Sequence, residues 1–175
     1  MLPPRFLIAM AKLHQPQIMH VAMQFQALTG LRAGMMSKLY PIHLQTLMKL
    51  WVAPFKFQQH PTVQDIPHLP STLVPQFLSF QTDVDAPLLP YTPEQYKQLF
   101  KQITHAYGLS CSSHSARHLF ASLQRFLNVP QCRISQQMIH KTGSSLSSYL
   151  HTFPKAEQQV ILNHPAYFIP LKLHY

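Results

Sequence analysis

The sequence predicts a single domain of α+β class, mainly α, with a small antiparallel β-sheet near residues 47 to 68. Three observations lead there. Apolar residues recur at intervals of three and four along several stretches, the period that buries one face of an α-helix. Between residues 47 and 68 the apolar stretches are short and broken by Pro54 and Pro61, which suits a hairpin better than a helix. The chain has 175 residues, 46% of them hydrophobic, which is enough for one core and one domain.

The elements follow in order. The opening stretch MLPPRFLIAMAKLH carries a short apolar patch behind two prolines and has a weak basic region, so it reads as a mature N-terminus and not as a signal peptide. QIMHVAMQFQALTG predicts a helix with Ile18, Ala22, Phe25 and Leu28 on one side, stopped near Gly30. Residues 70 to 91 are punctuated by proline, and LVPQFLSF in their middle predicts a short helix. TPEQYKQLFKQITHAYG is the clearest helix of the chain. Thr92 can cap it, Pro93 suits its first turn and Gly108 ends it, with Tyr96, Leu99, Phe100, Ile103 and Tyr107 as the buried stripe. The next helix carries Ala116, Leu119, Phe120, Leu123, Phe126 and Leu127 on one face, with His114 and Arg117 off that stripe at its start. A third, PQCRISQQMIH, ends at His140. The final stretch holds Val160, Ile161, Leu162, Phe168, Ile169 and Leu171, too many apolar residues for a solvated tail. They should fold back on the domain or dock on another copy.

The charge balance speaks about partners. Fourteen Lys and Arg against five Asp and Glu leave a formal charge of +9, which favours a polyanion such as nucleic acid, or an acidic membrane surface. A merely basic protein is the competing reading. No apolar run reaches the ~18 residues that a membrane-spanning helix needs. Two cysteines, Cys111 and Cys132, make no disulfide framework, so a reducing, intracellular location is expected. Among the twelve histidines there is no HExxH, and His114 and His118 share a helical spacing without a carboxylate beside them, so a zinc site is not expected.

The polar segment IHKTGSSLSSYLH sets Tyr149 nine positions after His140. HSARH sets His114 and Arg117 one helical turn apart, within reach of one spot. TGLR places Arg32 at a helix-to-turn junction, and Lys56 follows twenty-four positions later. This order of Arg, Lys, His-x-x-Arg, His and Tyr resembles the tyrosine recombinases, or phage integrase family. TGLR is similar to that family's first arginine box, HSARHLFA to its second, and MIHKTGSSLSSYLH to its terminal box, in which a second histidine, here His151, often follows the tyrosine. The resemblance spans roughly residues 17 to 153. Met35 stands where the family usually has an acid, and Ile139 where it has a glycine before the terminal histidine. Only 31 residues precede Arg32, too few for the family's N-terminal clamp domain, so the expectation is one catalytic domain over residues 1–175.

The resemblance implies a site-specific recombinase or integrase of a mobile element, intracellular and nucleoid-associated, acting on duplex DNA and self-associating there. It implies that no metal or nucleotide cofactor is required, in agreement with the lack of a carboxylate cluster or a P-loop in the sequence. Arg32 and Arg117 would clamp the phosphate oxygens bidentately, which lysine does poorly. Tyr149 would attack phosphorus, and the attack needs cationic neighbours to favour its phenolate. Lys56 would protonate the leaving 5′-oxygen, His114 would serve as base or hydrogen-bond partner of the tyrosine, and His140 would donate to a phosphate oxygen. Lys49 lies close to Lys56 in sequence, and the spacing from Arg32 selects Lys56. Each residue also has a plainer reading: Tyr149 as a half-buried helix tyrosine, His114 as a helix-start residue satisfied by backbone, Arg117 as a surface arginine. Two other functions stay open here, an inactive DNA-binding relic or accessory protein of the same fold and a basic RNA-binding protein, although common RNA modules carry glycine-aromatic signatures that are lacking here.

Overall fold

A computed structural model describes residues 1–46, 69–138 and 147–169 of the chain. Among these residues every regular element is a helix, and no strand occurs. The α+β expectation, with its small antiparallel sheet, is therefore corrected to an all-helical architecture of the described residues. The reason lies in the period of the apolar positions. Stripes stepping by three and four bury a helix face and cannot line one face of a strand, whose period is two. The stretch 47–68, where the hairpin was expected, lies outside the described residues, and Lys56 with it.

The centre is α2, Ile18–Thr29. Its residues from Met19 to Thr29 are buried except His20, which means that other elements surround it on nearly every side. Its polar side chains are buried with partners, as buried polar groups must be. Gln26 donates through Nε2 to the Leu31 carbonyl at 3.0 Å, while its Oε1 accepts from the Tyr96 hydroxyl at 2.6 Å. Gln24 accepts from the Tyr167 hydroxyl at 2.9 Å.

Around α2 stand α1 (Pro4–Ala11), α5 (Leu73–Leu78), α6 (Pro93–Ala106) and α7 (Ser113–Phe126), with α7 making the largest contact. Sequence periodicity finds α2, α5, α6 and α7 but misses α1. The PRFLIAMA helix buries Phe6, Leu7, Ile8 and Met10, so almost no polar face remains to reveal a period. Thr92 caps α6 by accepting from the Gln95 N–H at 3.2 Å, and Gly108 adopts φ 75° just beyond its end. Tyr96 and Phe100 bury fully, whereas Tyr107, placed on the same stripe by spacing, is 45% exposed.

Short helices α3 (Ala33–Met36), α4 (Pro41–Thr46), α8 (Gln131–Gln137), α9 (Lys155–Asn163) and α10 (Pro165–Phe168) complete the described elements. The last two decide between the two fates of the C-terminal apolar residues. They fold back. Ile161 and Phe168 are buried in the main core, Val160 and Ile169 pack against it, and α9 lies on α1. The Arg5 guanidinium pairs with the Glu157 carboxylate across that contact. Leu162 stays exposed, and Leu171 lies outside the described residues. No helix among the described residues is long and apolar enough to cross a membrane.

Candidate active site

Two turns of sequence build the site's floor. α2 ends at Gly30, which takes φ 75° and returns its N–H to the Gln26 carbonyl at 2.8 Å. Only glycine fits there: a Cβ would lie 2.5 Å from Phe120 Cδ1, and the left-handed conformation strains any residue that has one. The turn has two outcomes. It sets Arg32, exposed, at the N-cap of α3, and it aims the Gly30 carbonyl at α7.

Arg117 of α7 meets that carbonyl. Its Nη1 donates to Gly30 O, and its Nη2 donates to Met138 O at 3.3 Å. The side chain is only 1% exposed, so the surface-arginine reading and the placement off the buried stripe are both corrected. Burial of a guanidinium is tolerated here because carbonyl acceptors from two other segments meet its fixed fork of donors. Burial, with the nearby charge of Arg32, pulls its pKa down to about 10, while Tyr149 opposes the fall through its charge and a hydrogen bond accepted from the guanidinium. Arg117 is therefore still a cation at neutral pH.

Tyr149 closes the arrangement. Residues 147–149 form a 3₁₀ turn that carries it. Its ring is half-buried, with its centroid 5.5 Å from Arg117 Cζ, 5.1 Å from the His114 ring and 4.7 Å from the His118 ring. His114 is exposed at the start of α7, and its pKa falls below the usual histidine value through partial burial and then the charges of Arg117 and Arg32. Those forces keep the imidazole neutral and able to accept a proton.

Arg32, His114 and Arg117 line one open cleft of about 650 Å³. The structure thus brings four of the six sequence-chosen residues into one neighbourhood: these three, and Tyr149 against His114 and Arg117. Lys56 and His140 lie outside the described residues. Sequence reading passed over the opposite wall, where Lys97 and Lys101 of α6 face the cleft, with Glu94 paired to Lys97 at 3.2 Å. Their i, i+4 spacing on the polar side of a strongly amphipathic helix was the available signal. Among the described residues no three His, Cys, Asp or Glu side chains form a metal-ligand group. The cleft can hold an anion between an exposed arginine, a fixed arginine and two lysines, beside a neutral imidazole, and the Tyr149 hydroxyl reaches the Arg117 guanidinium. No protein-family model, no curated protein and no solved structure matches the chain.

Proposed function

We propose that this chain is a DNA strand transferase of the tyrosine-recombinase type, which breaks and rejoins duplex DNA through a 3′-phosphotyrosyl intermediate. The observation that supports this reading is that Arg32, His114 and Arg117 line one basic cleft while the Tyr149 ring packs against His114 and Arg117, so that three separate stretches meet. Its partner is duplex DNA, on which copies of the chain assemble, and its setting is the intracellular space beside the nucleoid.

The chemistry runs as follows. The scissile phosphate enters the cleft, where Arg32 grips it from outside and the enclosed Arg117 acts from the floor through its charge. Both guanidiniums offset the charge that grows on the non-bridging oxygens. The Tyr149 oxygen attacks phosphorus and its proton passes to His114. The bond from phosphorus to the 5′-oxygen breaks, and that oxygen takes a proton from Lys56, the acid that the resemblance assigns. His140, assigned in the same way, donates to a phosphate oxygen. Attack by a 5′-hydroxyl reverses each step and frees the tyrosine.

A second reading, a DNA-binding relic without activity, draws support from one feature. The Arg117 guanidinium is almost wholly enclosed and already donates to Gly30 O, Met138 O and Tyr149. A nicked duplex library with randomised sequence around the nick separates the two readings. The wild-type chain should yield a protein–DNA band that survives denaturant, and Tyr149→Phe should abolish it while leaving filter retention of duplex unchanged. An equal band from both proteins places the nucleophile elsewhere. Salt-dependent binding with no band from either supports the relic.

A further inference from the structure

Strand transfer as described leaves three side chains around the Tyr149 segment unused: His118, Ser122 and His151. His118 Nδ1 and His151 Nε2 are 2.8 Å apart, a hydrogen bond in which one imidazole donates and the other accepts. Burial first, then the charges of His151, His114, the N-terminal amine and Arg117, hold the His118 pKa down to about 4, so its ring is neutral at physiological pH and the bond can persist. The same His118 ring lies 4.7 Å from the Tyr149 ring with an angle of 32° between the planes. One turn further along α7, the buried Ser122 hydroxyl donates to the Tyr149 carbonyl at 3.2 Å and accepts the His151 N–H at 2.9 Å. Leu150, between those two residues, packs on Phe120, Ala121, Ile134 and Met138. Four kinds of contact therefore fasten residues 149–151 to the helix that carries His114 and Arg117.

We propose that His118, Ser122 and His151 form a clip that docks Tyr149 on α7, so that each chain supplies its own tyrosine to its own cleft. The DNA part of this inference rests on the strand-transfer reading; the docking part does not. His118 and His151 are positioning residues: they act on phosphate only through the place they give the Tyr149 hydroxyl. A dock of this kind limits the angular freedom of the attacking oxygen, which is where orientation lowers a barrier.

Two measurements test it. In protein with isotope-labelled tyrosine and histidine rings, nuclear Overhauser cross-peaks between Tyr149 and His118 are expected at pH 7.5. His151→Phe keeps an aromatic ring but no hydrogen bond, and the cross-peaks should vanish. His151→Gln offers an amide oxygen as acceptor and should restore them. His151 is exposed, so both variants should fold with the wild-type melting temperature. Cross-peaks that are missing in the wild type, or unchanged in His151→Phe, overturn the clip. The second measurement mixes Tyr149→Phe with Arg32→Ala on the nicked library. Own-chain delivery predicts no gain of covalent band over Arg32→Ala alone, whereas a restored band shows delivery between chains and overturns it. A wild type that forms no band but shows the expected cross-peaks removes the strand-transfer reading and leaves the docking intact.

Discussion

Arg32 and Arg117 serve the same cleft from opposite circumstances. Arg32 stands exposed at the N-cap of a four-residue helix, next to a turn that any approaching anion can reach. Arg117 is held in the interior by carbonyls of Gly30 and Met138, which lie 87 and 21 residues away in the chain. The difference teaches that a charge can line a cleft and tie distant segments together at once. The inner arginine joins the end of α2, the body of α7 and the end of α8, and it cannot be altered without touching all three. The outer arginine lies exposed, outside that tie.

Stability measurements can break this contrast. Arg117→Met is expected to lower the unfolding free energy by about 3 kcal/mol, because two buried carbonyls lose their donor. Arg32→Ala should stay within about 0.5 kcal/mol of the wild type. Urea unfolding of both variants checks the pair, and equal losses would show that the interior tie carries no special weight. The turn that separates the two arginines sharpens the same point. Gly30→Ala should cost about 2 kcal/mol through left-handed strain and the clash with Phe120. Phe120→Leu in the same chain should return part of that loss, read as a thermal-melting double-mutant cycle. A fully additive double variant would mean that the ring is not the obstacle.

The smallest effect on stability belongs to the far wall. Lys97→Ala with Lys101→Ala should leave the melting temperature nearly unchanged, since both lie exposed on α6. Their work would appear in binding. Duplex affinity of the wild type should fall more than roughly tenfold between 50 and 200 mM salt. The double variant should flatten that logarithmic slope by about 1.8 if each lysine neutralises one phosphate. An unchanged slope means that the α6 wall does not meet the backbone.

The sequence made α2, α6 and α7 legible because their apolar residues repeat at the helical period and their ends carry turn chemistry in Gly30, Thr92 and Gly108. It hid α1, where Phe6, Leu7 and Ile8 follow one another and leave no polar face to count from. It also hid the burial of Arg117. Position 117 adjoins Ala116 on the stripe, but a charged residue is placed inside only when its partners are known, and those partners are backbone carbonyls that no residue type announces. The i, i+3 spacing of His114 and Arg117 was readable, as was the adjacency of Gly30 and Arg32. The rotation that turns Lys97 and Lys101 of α6 toward the same opening was not, because it depends on how α6 packs against α2 and α3. Nor could spacing reveal that His118 and His151, 33 residues apart, would meet.

The pairing of α1 with α9 has a consequence for how this chain comes into being. Arg5 and Glu157 are separated by 152 positions. A ribosome adding roughly 5–20 residues per second needs on the order of ten seconds to travel that distance. During that interval α1 can settle against α2, but the side that will receive α9 stays uncovered. Helix α9 is the lid that α1 waits for, so the nascent chain carries an adhesive surface until α9 emerges. Slower translation would lengthen that exposure, and protection by a chaperone would matter most just before residue 160 leaves the exit tunnel.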